Sequence, residues 1–360
     1  MSSINKASNV SGATTTPSLD ASPLAHGGDL GVARKLFPGA PEPLLDLSAG
    51  INPQPYPFTQ LSTAMFTRLP QPAALADLVA TAARSYGAPS AAYVVAGPGS
   101  QILLAQTAFL LARGRAAVLA PTYAEHGRVA ELSGHNVVEV AEVGQLAEAR
   151  IAIVVNPNNP DGRLIAKDAL LALADRLRRR GGLLLVDEAF MEVGPEGASL
   201  ADHVEEGNIV VLRSFGKFYG LPGLRLSFAL APPEIATRIG TALGPWPVSS
   251  AALAIGATAL ADAAWQERTR GKLAEAALKL DACLVRAGFE VIGGTSLFRL
   301  VRSKDAGRVF QSLGEAGIMV RRFAEHPAWL RFGLPGGEAE WQRLERALAL
   351  VERGERGNSA

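Results

Sequence analysis

A single cysteine, Cys283, is all that this chain of 360 residues contains, so it can form no internal disulfide. The thiol falls in a helical pattern, KLDACLVRAGF, and reads as a packed small hydrophobe in a protein kept in a reducing compartment. Histidine is scarce too. His26, His126, His135, His203 and His326 are scattered without a Cys/His cluster, and no metal site is expected. Charge of one sign is missing: 35 basic against 34 acidic residues leave a net charge of +1. No field of that size draws nucleic acid. No run approaches the roughly 20 apolar residues needed to span a bilayer. The first residues, MSSINKASNVSGATTTPSLDASP, have no apolar core of a secretory signal and read as a disordered lead-in. These absences point to a soluble cytoplasmic protein with neither nucleic acid nor membrane as partner.

What is plentiful is apolar material, 48% of the residues against 19% charged, enough for a large core and for two domains. From about Pro89, helical segments alternate with short apolar runs: AAYVVAG, AAVLAP, HNVVEVA, IAIVVNPNNP, GGLLLVDEAF, NIVVLRSF and RLSFALAP. Runs this short and this apolar suit strands buried on both faces of a mostly parallel α/β sheet, with helices as crossovers. After Pro247 a long helical stretch, from SSAALAIG to CLVRAG, shows no turn signal strong enough to divide it. Shorter units of a smaller α+β domain follow. The expected organisation is a lead-in over residues 1–22, an N-terminal arm and large domain over 23–247, and a linking helix with a small domain over 248–360.

Ligand groups gather at the strand ends of such a sheet. After the predicted strands come GPGSQ, PTY, NPNNPDG, DEAF and SFGK. GPGSQ, from Gly97 to Gln101, precedes a helix whose first N–H groups suit a phosphate, although many plain turns look alike. It is not GxGxxG, so a dinucleotide site loses its main support. Asp187 ends an apolar strand, either as a helix-capping acid or as a carboxylate that keeps a ring nitrogen protonated. Tyr123 is a core aromatic or a ring that stacks on a planar ligand. The asparagines of NPNNPDG hold a turn or donate to a phenolate oxygen.

The stretch RSFGKFYGLPGLRL sets Lys217 among glycines and apolar residues, with no acid nearby in sequence. Such a lysine is either a plain loop residue or an amine held for covalent chemistry. Arg225 opens the next strand, where an anion would satisfy its donors, and Ser214 stands three residues before the lysine. Arg321 and Arg331 flank a short loop in the small domain, as solvated residues or as a second anion site. Together, an amine, a phosphate cradle, an acid, a ring and two arginines are the parts that hold pyridoxal phosphate as a Schiff base.

NPNNPDG, VDEAF and SFGKFYGLPGLRL, in this order and spacing, resemble the fold-type I pyridoxal-phosphate enzymes, from about residue 24 to the last helix. Within them, HGGDL at residues 26–30, LDLSAGINPQPYP at residues 45–57 and the Phe-Tyr after the lysine are similar to the threonine-phosphate decarboxylases of cobalamin biosynthesis. The histidinol-phosphate aminotransferases are the alternative. The resemblance implies pyridoxal 5'-phosphate as cofactor and decarboxylation of a small phosphorylated amino acid by a homodimer. Lys217 would carry the cofactor, Asp187 would face its ring nitrogen, Asn159 its ring oxygen and Tyr123 its ring face. Ser100, Gln101, Ser214 and Arg225 would hold its phosphate. Arg331 would take the substrate carboxylate, and His26, Arg321 and Asn52 would surround the substrate phosphate. The chain departs from the family pattern at Phe190, where many relatives have tyrosine, and at Gly216 and Leu69, where relatives place a hydroxyl near the cofactor phosphate.

Overall fold

The computed structural model describes residues 27–357; the lead-in expected over 1–22 and the site residue His26 lie outside the described residues. The chain runs through a helix, Leu30–Leu36, and a short strand, β1 (Leu45–Asp46). It continues through β2 (Val94–Gly97), β3 (Arg115–Leu119), β4 (Asn136–Val140), β5 (Ile151–Val155), β6 (Leu183–Asp187), β7 (Ile209–Ser214) and β8 (Ser227–Leu230). These seven form one sheet in the order β2-β8-β7-β6-β5-β3-β4. Pairs from β7 across to β4 are parallel, while β8 runs antiparallel to β7 and to β2.

Every residue of β5, β6, β7 and β8 is buried, which is why these runs read as unbroken apolar stretches. The strand period of two splits them between two cores. Ala117, Leu119, Ala152, Val154, Leu184 and Val186 pack on one face of the sheet. Their neighbours Ala116, Val118, Ile151, Ile153, Leu183 and Leu185 pack on the other. Each buried Leu, Ile or Val contributes about 1.5–3 kcal/mol, so the central strands are held firmly from both faces.

A second sheet, β12-β13-β10-β9, is antiparallel throughout. It is built from β9 (Glu290–Thr295), β10 (Phe298–Arg302), β12 (Arg321–Arg322) and β13 (Trp329–Gly333), with β11 (Ile318–Met319) between. β11 pairs in parallel with β1, so the arm runs against the C-terminal part of the chain. Phe37 packs on Phe310 with ring centroids 5.6 Å apart. Arg343 adds donors to the carbonyls of Pro41, Pro43, Ala316 and Gly317.

The long helical stretch after Pro247 is divided, contrary to the reading of the sequence. Helices Ser250–Ala261 and Ala263–Arg286 meet at Asp262, which leaves the helical conformation at φ −88° and ψ 74°. Its carboxylate accepts from the Trp265 N–H at 2.9 Å, a side-chain cap on the second helix. The Tyr56 hydroxyl donates to the same carboxylate at 3.3 Å. Cys283 is buried in the second of these helices, and burial raises its thiol pKa.

Candidate active site

The carboxyl ends of β3, β5, β6 and β7 deliver Tyr123, Asn159, Asp187 and Lys217 to one end of the sheet. Asp187 is the last residue of β6 and is buried. One of its oxygens accepts from the Ala189 N–H at 3.0 Å. The other lies 3.0 Å from Nε2 of His126, itself buried, in a close contact whose alignment falls short of a hydrogen bond. His126 also meets the Tyr123 ring edge-on, centroids 5.8 Å apart and planes at 85°. In the sequence His126 is one of five scattered histidines. Its signal was the spacing: Tyr123 and His126 are three apart where the helix Glu125–Leu132 begins, which sets them on one side. Burial raises the Tyr123 hydroxyl pKa, and the nearby Glu125 and Asp187 raise it further.

Lys217 sits in a single helical turn, Phe215–Phe218, directly after β7. It is half-buried. Burial, then the nearby Arg331 and, more weakly, Arg225, depress its amine to about 8, although Asp187 pulls the other way. A lysine so tuned has far more neutral, nucleophilic amine near pH 7 than an exposed one. Its Nζ lies 5.9 Å from the centre of the Phe190 ring, and Phe190 packs edge-on against Phe298. Phenylalanine at 190 is thus part of an apolar wall beside the amine.

Arg331 projects from β13 and is buried. It donates to the Asn159 side-chain oxygen, and to the Ser48 carbonyl at 2.8 Å. Its Nε has no partner among the described residues. Burial, with Arg321 nearby, lowers its pKa to about 10. A buried guanidinium held by neutral oxygens, with a donor to spare, is complemented by an incoming carboxylate. Arg321 stands directly across from Arg331 in the β12–β13 pairing. Its guanidinium lies over the Phe323 ring at 5.5 Å, and burial lowers its pKa as well. A small cleft beside it is lined by Gly28, Asp46, Ser48 and Arg322.

The GPGSQ turn forms a cradle that only glycine allows. Gly99 has φ +105°, and a Cβ built there would stand 2.5 Å from Nη2 of Arg225. Arg225 itself has φ 52°, an uncommon conformation for a side-chain-bearing residue that aims its guanidinium back over the turn. The helix Ser100–Leu110 starts there, with first-turn N–H groups that have no partner within the helix. The Gln101 side chain is turned to Glu125 at 2.7 Å, so Gln101 offers its backbone to the cradle. Ser214 reaches the same level of the sheet, because Ser214 pairs with Ser227 and Ser227 with Gly97. At Gly216 a Cβ would come 2.8 Å from Cα of Pro222, so no hydroxyl residue fits there as the loop is packed. Leu69 is exposed.

Asn52 is placed differently from a residue aimed at substrate. Its backbone N–H donates to the Lys217 carbonyl at 2.9 Å, its amide to the Phe218 carbonyl at 2.9 Å, and its side-chain oxygen accepts from the Gln54 N–H at 2.9 Å. Of the residues expected at the site, only His26 lies outside the described residues.

Lys217 after β7, Asp187 ending β6, Asn159 after β5 and the Gly99 turn after β2 thus gather at one end of the sheet. The chain belongs to the aminotransferase class I and II family, whose model matches residues 48–348. It is 42% identical to a threonine-phosphate decarboxylase of Sinorhizobium sp over 92% of this chain and 99% of that protein. It is 39% identical to the threonine-phosphate decarboxylase of Pseudomonas aeruginosa over 90% of this chain and 97% of that one. Among solved structures, a histidinol-phosphate aminotransferase from Sinorhizobium meliloti in complex with pyridoxal-5'-phosphate superposes with a TM-score of 0.76. It is 21% identical and covers 90% of this chain and 94% of that one, a likeness of fold.

Proposed function

We propose that the protein decarboxylates L-threonine O-3-phosphate to (R)-1-amino-2-propanol O-2-phosphate, a step of cobalamin biosynthesis, with pyridoxal 5'-phosphate as cofactor. The observation that carries this reading is similarity at 42% identity over nearly the full length of a threonine-phosphate decarboxylase, joined to a site with Arg331 near the lysine and Arg321 paired across from Arg331. The site residues fit the cofactor. Gly99 leaves open the space that a Cβ would fill beneath Arg225, and the helix beginning at Ser100 presents free N–H groups to a phosphate. Ser214 and Arg225 complete that cradle. Asn159 stands by for the ring oxygen, Tyr123 for the ring face and Asp187 for the ring nitrogen. When bound through Lys217, the cofactor supplies an electron sink for the pair left at Cα as CO₂ departs.

The chain's own residues do the rest. Asp187, kept in place by the Ala189 N–H, holds a proton on the ring nitrogen by charge. Arg331 takes the substrate carboxylate, and Arg321 the phosphate. Two fixed anchors would set the torsion about Cα and so select which of its bonds breaks. Lys217, with its amine near 8, is tuned to deliver a proton to Cα near neutral pH. Phe190 and Phe298 line the amine's surroundings and keep them apolar.

The working form is a cytoplasmic homodimer. The exposed side chains of Phe58, Phe66, Leu69 and Phe109 would offer apolar surface to a second copy. No helix among the described residues is long and apolar enough to cross a membrane. The activity is tested by incubating the protein with L-threonine O-3-phosphate and measuring CO₂. Release without any 2-oxo acid supports decarboxylation, whereas turnover that requires 2-oxoglutarate identifies an aminotransferase.

A further inference from the structure

The segment from Leu47 to Tyr56 touches both halves of the site. At one end the Gly333 N–H donates to the Leu47 carbonyl at 2.7 Å, and Arg331 donates to the Ser48 carbonyl. At the other end the segment runs alongside the lysine turn. Asn52 N–H meets the Lys217 carbonyl, the Asn52 amide meets the Phe218 carbonyl, and the Tyr56 N–H meets the Tyr219 carbonyl at 2.9 Å. Gly220, at φ +65°, lets the two chains approach: a Cβ there would stand 2.6 Å from the Asn52 carbonyl oxygen and 2.8 Å from Cα of Pro55.

Behind this contact is a block of aromatic rings. Tyr219 stacks on Phe215 at 4.2 Å and on Trp265 at 5.7 Å, while Tyr56 meets Trp265 edge-on at 5.0 Å. Lys217 therefore lies in a turn packed from below by rings and fastened along its backbone by the strap. The turn is only four residues long, too short to hold its own shape. The Lys217 carbonyl also accepts from the Gly220 N–H at 3.4 Å, and the strap adds a bond to it and one to the Phe218 carbonyl.

We propose that residues 47–56 form a strap that sets Lys217 from the substrate side, with Asn52 as its positioning residue. This rests on the reading of Lys217 as the cofactor lysine. Asn52 then acts through the lysine, and a contact with substrate phosphate is not what it provides.

The test uses full-length protein stripped of cofactor, and two variants that loosen the strap from opposite sides. Asn52→Leu keeps the volume and adds no charge; Gly220→Ala leaves Asn52 intact and pushes the strap away. The rate at which Lys217 takes up pyridoxal phosphate, followed by absorbance and by borohydride trapping, is measured against pH. In the unaltered protein it rises as the amine loses its proton, with a midpoint near 8. Both variants should move that midpoint upward, toward the ordinary lysine value of about 10.4, and should speed hydrogen exchange in residues 215–220. With substrate, kcat should fall about tenfold while KM stays within about twofold. An unmoved midpoint in either variant overturns the proposal, even if the melting temperature drops. So does a higher KM for threonine phosphate at unchanged kcat, which would make Asn52 a substrate contact. Failure to trap Lys217 in the unaltered protein would remove the cofactor reading itself, and is told apart because it needs no variant.

Discussion

The floor and the roof of the site are built in different ways. The floor is a row of strand ends: Asp187, Asn159 and Lys217 follow β6, β5 and β7, and the cradle at Gly99 follows β2. One sheet, buried on both faces, sets all of their positions at once. The roof draws Ser48 from the arm and Arg321 and Arg331 from a separate antiparallel sheet. Its parts meet through a few hydrogen bonds between segments hundreds of residues apart in sequence. The difference teaches that the shared chemistry belongs to the rigid part, while selection of substrate belongs to the part assembled from long-range contacts.

Mutations can break that division of labour or sharpen it. The largest effect is expected from Lys217→Ala, which should remove the Schiff-base absorbance and lower kcat by at least about three orders of magnitude, read by spectrum and by CO₂ release. Asp187→Asn comes next. It leaves the fold intact but withdraws the charge that keeps the ring nitrogen protonated, and kcat should drop by roughly 10²–10⁴ with little change in KM. A roof mutation should behave in the opposite way. Arg321→Ala should raise KM for threonine phosphate by about 30-fold or more, the loss of a charge-assisted anchor worth about 2 kcal/mol, while unphosphorylated threonine is scarcely affected. Equal losses for both substrates would remove the phosphate assignment. Gly99→Ala should have the smallest effect, about a tenfold weaker hold on the cofactor, because the new methyl displaces Arg225 at a cost of about 1–3 kcal/mol. Equilibrium dialysis against pyridoxal phosphate measures it.

The same contrast explains what could be read from the sequence. Motifs that end strands, such as VDEAF and SFGK, are local: an apolar run followed by a polar residue marks both an element and its ligand-facing end. The large sheet and the place of Asp187 and Lys217 on it follow from those patterns. Asp262 was not legible, because a capping aspartate within a helical pattern looks like any surface acid until the chain is seen to turn. His126 was hidden for a similar reason, since it sits on a helix while its partner Asp187 ends a strand far along the chain. The bonds of Asn52 to Lys217 and Phe218 leave no local trace at all. Gly99 and Gly216 read as ordinary turn glycines, and their necessity comes from Arg225 and Pro222 lying against them.

Decarboxylation puts a proton in place of the carboxylate at Cα, and running the reaction in D₂O tests this most directly. If threonine phosphate is incubated with the loaded protein in the absence of a 2-oxo acid, NMR should show aminopropanol phosphate with one deuterium at C1 in every molecule. A 2-oxo product, or a requirement for an added 2-oxo acid before any substrate disappears, would contradict it.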